Sequence, residues 1–380
     1  MRSGKRPTFK DREKSLKVLL INPFGIGDVL FSTPLIGILK DNLPRASLYY
    51  ICNKWARGAI EACGELKKVF IFEKGDYREL WAKDKLRCLK EFTSFLNSIR
   101  RERFDIAIDM SMGHQYGFFL KLIGVPERVG FDYKGRGRFF TKRLKFNGFN
   151  DKPIGEYYKD LLRLIGLDIK DYPTKIWWTE DDEKQTDRFF KESGLKKGED
   201  VIGIAPGGGA SFGKEKIAFK RWPSDKFARL SESLMKDMNA KVILIWGPGE
   251  EPLIMSMLNS MAQRPIVAPQ TTVREAASLM SRCDCVVCND GGPLHMAVAS
   301  GAKTVSIFGP SDQNIYGPYL KDNRHLVVTK DVDCRPCYKK FKIPECKNLK
   351  CLEGLNVDEV FSAVTEHMAE LRRDVKAKTR

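Results

Sequence analysis

Apolar residues in this chain come in short runs of four or five. Each run ends in a turn rich in glycine, proline or acids, and most lead into apolar positions at helical spacing. Short runs bounded by turn residues read as buried strands, and the longer periodic stretches read as helices. In the first half the runs fall at 18–21, 48–52, 69–72 and 105–109. Helical patterns run up to Leu39, over about 80–103, over 114–123 before Gly124, and over 156–165. Asp28 stands where a helix N-cap belongs, and Pro34, past the first turn, is expected to kink that helix. Residues 168–182 change composition, carry Pro173 and read as a linker. The alternation then restarts with strands at 201–205, 242–246, 285–288 and 304–308. Helices follow several of them, including one capped by Ser224 with Phe227, Leu230, Leu234 and Met238 on one face. A final helix opens on a capping-box pattern, Asn356 with Glu359. Val357, Val360, Phe361, Val364, Met368 and Leu371 make its core stripe.

The clearest stretch is 285–312. A strand stops at Asn289-Asp290-Gly291-Gly292, a helix runs from Pro293 to Gly301, and a second strand ends in Gly309-Pro310-Ser311-Asp312. A short helix joining two buried strands demands a parallel pair with a right-handed crossover. Ligands gather at the carboxyl ends of such strands, where glycines allow close approach and a helix start offers N–H groups to an anion. The expected fold class is therefore α/β, with two doubly wound domains facing each other across a cleft. The expected division is a basic tail at 1–16, domains at 17–172 and 173–355, and a C-terminal helix with a basic tail at 356–380. No internal repeat is visible residue by residue.

Composition narrows this only at the margins. The 380 residues are 42% hydrophobic and 30% charged, which describes a globular protein. No apolar run approaches the ~18 residues a bilayer span needs. The apolar stretch at 16–21 breaks at Asn22-Pro23, so no signal peptide is expected and the cytoplasm is the expected compartment, with ten reduced cysteines. The net charge of +17 concentrates in both tails and in 134–145. Such patches suit nucleic acid, an anionic membrane surface or a phosphorylated substrate. No nucleic-acid-binding signature accompanies them, so nucleic acid is not an expected partner.

Four turns at predicted strand ends carry the candidate chemistry: 22–28, 206–213, 247–252 and 289–293. None is a dinucleotide fingerprint or a P-loop, which argues against a dehydrogenase and an ATPase. Asp331-Val-Asp333 reads as a solvated turn. Cys283, Cys285 and Cys288 read as buried inert thiols. Cys334, Cys337, Cys346 and Cys351 are spaced C-x2-C-x8-C-x4-C, with reduced structural thiols favoured over a structural zinc site and over a disulfide.

Taken in order, several pieces resemble glycosyltransferase family nine, the ADP-heptose:lipopolysaccharide heptosyltransferases. They are Gly25-Ile-Gly27-Asp28-Val-Leu with Thr33-Pro34, Pro206-Gly207, Lys220-Arg-Trp222-Pro223, Asn289-Asp290-Gly-Gly-Pro-Leu-His295 and Phe308-Gly-Pro-Ser-Asp312. The resemblance extends from about residue 17 to 370. It implies the GT-B fold, with an acceptor-binding first domain and a donor-binding second domain. It also implies inverting, metal-independent sugar transfer that requires no cofactor. The expected partners are a nucleotide-diphosphate sugar, a phosphorylated lipid-linked oligosaccharide and the cytoplasmic membrane surface, where the enzyme would lie peripherally. Asp28 matches the family's general base and Lys220 the lysine that faces the donor phosphates. Donor contacts are expected from Gly208, Gly209, Ala210, Ser211, Trp246, Gly247, Glu250, Glu251, Asp290, Gly291, Gly292 and His295. Gly291 stands where the family usually has a hydroxyl residue. Gly25, Gly27, Arg136 and Arg138 fall on the acceptor side. Helix-capping acids at 250 and 251, and a core role for His295, are the competing readings. A non-catalytic nucleotide or glycan binder and a nucleotide-sugar epimerase are the alternatives to a transferase.

Overall fold

In the computed structural model the described residues are 16–208, 218–319, 322–339, 342, 345–346 and 348–378, with side chains as far as Arg373. The chain divides into two units, Met1–Pro173 and Thr174–Arg380.

The first unit holds six strands: β1 (Lys17–Ile21), β2 (Ser47–Cys52), β3 (Leu66–Ile71), β4 (Ile106–Asp109), β5 (Glu127–Tyr133) and β6 (Lys142–Phe146). They form one parallel sheet in the order β3-β2-β1-β4-β5-β6. Central strands β1, β2 and β4 are buried on both faces, which is why they stand out as unbroken apolar runs. Strands β5 and β6 were not anticipated. They lie at one side of the sheet and alternate charged with apolar residues, so their sequence looks like a basic loop. Helices α1 (Ile26–Ser32), α2 (Pro34–Asn42), α3 (Lys74–Lys83), α4 (Lys85–Glu102), α5 (Gln115–Leu122) and α6 (Ile154–Arg163) complete the unit.

Three local expectations are corrected here. Gly25 is the N-cap of α1, and Asp28 lies inside its first turn. Pro34 does not bend a continuous helix but starts a second one after Thr33, where its missing N–H costs nothing. The expected helix over 80–103 is two helices, because Asp84 turns extended and accepts the Arg87 N–H at 2.9 Å, capping α4.

The second unit contains β7 (Val201–Ala205), β8 (Lys241–Leu244), β9 (Ile266–Val267), β10 (Cys285–Asn289), β11 (Thr304–Phe308) and β12 (His325–Thr329). The order β12-β11-β10-β7-β8-β9 is, counted from β7, the same 3-2-1-4-5-6 winding as in the first unit. The doubling is therefore real at the level of topology, although no residue repeat records it. Helices are α7 (Glu180–Glu192), α8 (Ser224–Asp237), α9 (Glu251–Ser260), α10 (Val273–Ser281), α11 (Gly292–Ala299), α12 (Gln313–Tyr316), α13 (Lys350–Glu353) and α14 (Val357–Lys378). Helix α7 occupies the end of the expected linker, opened by a capping box between Thr179 and Asp182. Ser224 is the first helical residue rather than the cap, and Pro223 precedes it with no side-chain bond. Gly301 ends α11 at φ 86°, the left-handed conformation that favours glycine. Val357, Val360, Val364 and Met368 of α14 join the buried cluster of Phe227, Leu230 and Leu234 of α8. Each such side chain contributes roughly 1.5–3 kcal/mol by leaving water.

In each sheet the winding reverses between two neighbouring strands, β1 and β4 in the first unit and β7 and β10 in the second. Ligand crevices open at these reversals.

Candidate active site

At the reversal in the second unit, the turns after β7 and β10 are tied together by one side chain. Asn289 donates from Nδ2 to the carbonyls of Pro206 (2.8 Å) and Gly207 (3.3 Å), and its Oδ1 accepts the Trp222 N–H (2.9 Å). Trp222 is almost fully buried, meets Phe227 edge-on at 5.1 Å and donates its indole N–H to the Leu355 carbonyl. This anchor explains the Lys220-Arg-Trp222-Pro223 motif: burying the tryptophan aims Lys220. The Lys220 ammonium reaches Asp290 Oδ2 at 2.7 Å and lies 5.5 and 5.1 Å from the ring centroids of Tyr316 and Tyr338. A carboxylate and two aromatic faces thus hold a cation at the strand ends.

Glu250 is buried and accepts the N–H groups of Gly208 (3.1 Å) and Gly247 (3.0 Å), with Arg221 Nη2 at 3.4 Å. It sits so close to Gly207 that a Cβ there would fall 1.9 Å from its oxygen, which requires glycine. Glu251 is exposed in the first turn of α9, where an acid suits the helix dipole, so Glu250 is the one drawn into the site. Trp246 spends its indole N–H on the Ala268 carbonyl (2.7 Å). Gly291 approaches the Gly208 carbonyl, which a Cβ would meet at 2.8 Å. That contact accounts for glycine where a hydroxyl residue was expected. Gly292 begins α11, and His295 on the same helix is buried. Burial pushes its imidazole down to about 4, the Asp290 charge opposes this and Lys220 adds to it, so the ring is neutral near pH 7. Gly209, Ala210 and Ser211 lie outside the described residues. Arg221, Asn289, Tyr316 and Tyr338 were not anticipated as site residues. The first two lie inside quoted motifs, whereas nothing in the sequence ties the tyrosines to Lys220.

In the first unit, the turn after β1 is pinned from both sides. Asn22 donates to the Asp28 carbonyl (2.9 Å) and accepts the Phe24 N–H, while Asn53 donates to the carbonyls of Pro23 and Phe24. Asp28 itself is half-buried, with Gly25 and Gly27 in the same turn. Across the reversal, Asp109 ends β4 fully buried. Its Oδ1 accepts the Ser111 N–H at 2.8 Å, and among the described residues no group bonds Oδ2. Burial raises this carboxyl to about 7, against the opposing pull of the Ser111 bonds. Arg136 and Arg138 are exposed, stacked over Tyr133 and Phe139.

The cysteines divide as expected for the strand set: Cys283, Cys285 and Cys288 are buried free thiols, and burial raises Cys285 to about 12. Cys334, Cys337, Cys346 and Cys351 are also free. Burial, then the neighbouring thiolates, raise Cys337 and Cys351. Among the described residues no group of three potential ligands is arranged to hold a metal ion.

A doubly wound sheet built twice in one chain is the architecture of GT-B glycosyltransferases. The chain belongs to Glycosyltransferase family 9 (heptosyltransferase), whose family model matches residues 92–348. It is 24% identical over 357 residues to lipooligosaccharide heptosyltransferase 2 of Campylobacter jejuni, covering 91% of this chain and 96% of that one. To lipopolysaccharide heptosyltransferase 2 of Salmonella typhimurium it is 24% identical, over 80% of this chain and 85% of that one. Among solved structures, the ADP-heptose lps heptosyltransferase II of E. coli superimposes with a TM-score of 0.74 at 19% identity, covering 94% of this chain and all of that one. A family 9 glycosyl transferase from Veillonella parvula gives 0.76 at 21%, over 93% and 97%. These likenesses establish the fold.

Proposed function

We propose that this glycosyltransferase moves a heptose from ADP-heptose to a phosphorylated, lipid-linked inner-core saccharide of lipopolysaccharide, with inversion and without a catalytic metal. The lipid-linked acceptor places its work at the cytoplasmic membrane surface. Family membership and the heptosyltransferase names of its relatives support the substrate class. The observation that carries the donor assignment is Lys220 held against Asp290 at the strand-end reversal of the second unit.

The chemistry is a single displacement. An acceptor hydroxyl attacks the anomeric carbon from the face opposite the diphosphate, and the bond from that carbon to the phosphate oxygen breaks with its electron pair. Asp28 takes the hydroxyl proton as the new bond forms. Lys220 turns from Asp290 toward the departing ADP and, with N–H groups of the 206–208 and 290–292 turns, balances its charge. Glu250 accepts from the donor ribose once released from part of its backbone bonding.

Donor binding by thermal shift, paired with a transfer assay, tests the reading. ADP and ADP-heptose should stabilise the protein more than other nucleotides and nucleotide sugars. Asp28→Ala should abolish transfer and keep that stabilisation. Unaltered transfer in Asp28→Ala, or preference for another nucleotide, would overturn it.

A further inference from the structure

Large apolar side chains exposed among the described residues are unevenly distributed. Six of eight belong to the first unit, and five of those lie on α3, α4 and α5: Trp81, Leu86, Leu89, Phe118 and Leu122. Leu86 is 81% exposed and Leu89 54%, on a helix whose opposite side is already packed. The three helices share a continuous aromatic seam. Tyr77 of α3 meets Phe92 of α4 at 5.7 Å, Phe92 meets Phe119 of α5 at 4.9 Å, and Phe118 meets Phe139 at 5.3 Å. Trp81 lies one helical turn beyond Tyr77, Leu89 one turn before Phe92, and Leu122 one turn beyond Phe118. Residues at that spacing share a helix face, so the exposed group borders the seam rather than scattering.

Basic residues surround it. Lys83, Lys85 and Lys90 flank Trp81, Leu86 and Leu89, while Lys121, Arg136 and Arg138 stand beside the α5 end, all exposed. Lys85 lies 6.0 Å from the Trp81 ring, and Lys121 and Arg138 lie 5.9 and 4.8 Å from the Phe139 ring. Rings carrying cations at their faces, beside aliphatic side chains left in water, match the layering of an anionic bilayer surface. There the apolar groups enter the acyl boundary and the cations meet phosphates.

We infer that the α3–α5 face of the first unit docks on an anionic lipid surface, with Trp81, Leu86 and Leu89 as the inserted residues. The inference rests on the lipid-linked acceptor of the proposed function only for its purpose; the surface itself is argued from exposure and charge. Its occupant is lipid because cations outnumber acids around the apolar group. Between 79 and 91 Lys83, Lys85, Arg87 and Lys90 stand against Glu79, Asp84 and Glu91, and Lys121, Arg136 and Arg138 widen the excess, a net positive field that a second copy of the same face would oppose.

Flotation of the full-length protein with vesicles tests it, comparing phosphatidylcholine alone with an equal mixture of phosphatidylcholine and phosphatidylglycerol. Binding should require the anionic lipid and should weaken about tenfold or more in the combined Trp81→Ala, Leu86→Ser, Leu89→Ser variant. Met255→Ser, an exposed site in the second unit, should change nothing. Brominated acyl chains should quench tryptophan emission in the unmodified protein and much less in Trp81→Phe. Undiminished flotation of the combined variant would assign any lipid binding to the basic tails and overturn the inference, as would unchanged quenching in Trp81→Phe. So would a lipid-free dimer that the same variant dissolves. Transfer to a deacylated, water-soluble acceptor should survive in the combined variant. Absence of that transfer in the unmodified protein would strike at the proposed function and leave the vesicle result standing.

Discussion

Lys220 and Asp290 form a pair whose members differ in environment: the carboxylate is 3% exposed and the ammonium 18%. Neither is left uncompensated without ligand, and a diphosphate can draw the lysine away because the tyrosine faces and solvent border it. Lys220→Ala should therefore weaken ADP binding by about ten- to a hundredfold, measured by calorimetry. It should also lower the melting temperature, since a buried carboxylate loses its partner. Retained ADP affinity would move the phosphate site elsewhere. Asp28→Asn is the counterpart in the first unit. The expected loss is about 10²–10⁴ in kcat with donor affinity kept, read from steady-state kinetics and binding on the same preparation. The pattern of types at 28, 220 and 290 was legible in the sequence because each sits in a distinctive local motif. Nothing local in the sequence marks Arg221 and Asn289 as site residues, because their partners are distant in the chain, Glu250 for one and Pro206, Gly207 and Trp222 for the other.

Among the elements, the turns after β7 and β10 decide the site, and their glycines are there for contact rather than for unusual dihedrals. Gly291 is extended at φ 170°, a conformation open to any residue, yet the Gly208 carbonyl occupies the space of a side chain. Gly291→Ala should force the two turns apart, costing about 1–3 kcal/mol in an unfolding titration and reducing ADP affinity in parallel. A stable variant with normal ADP affinity would show that the turns need not touch. The helices around these turns were foreseen wherever the apolar stripe was strong, as in α8 and α14. Strands β5 and β6 were missed because partial exposure at the side of the sheet lets charged residues into the pattern, and β9 because two residues make no pattern.

For the molecule as a whole, the pH response of stability carries a distinct signature. Asp109 is fully buried with its carboxyl raised from 3.8 to about 7. A carboxyl raised on folding keeps its proton in the native state where the unfolded chain has lost it. Its contribution to stability is then complete below the ordinary carboxylate value and is lost as pH rises through about 7. Asp109→Asn should remove that loss. The stability difference between variant and unmodified protein should grow by on the order of 1–4 kcal/mol from pH 4 to 8 in urea titrations. A difference independent of pH would mean the carboxyl titrates normally. His295 slopes the other way: its imidazole is lowered to about 4, so stability is lost as pH falls from about 6.5 toward 4. Comparing Asp109→Asn with the parent cancels that slope.

The boundary between the units shows the same division between local and long-range causes. Pro173 and the change of composition mark it in the sequence. What secures the first unit's side is a set of distant bonds. Asn42 exchanges two hydrogen bonds with Asp168, Lys170 pairs with Asp41, and buried Lys159 reaches Asp171 at 2.6 Å.

Period and punctuation along the chain were enough to settle the α/β class, the central strands, the strong helices and the glycine turns. Those features arise from interactions within a few residues and from the simple demand that apolar faces be buried. Tertiary structure alone decided the partner of Lys220, the burial of Glu250 rather than Glu251, the burial of Asp109 and the identical winding of the two sheets. Each depends on which distant segments the folded chain brings within a few ångströms, and a one-dimensional pattern holds no measure of that distance.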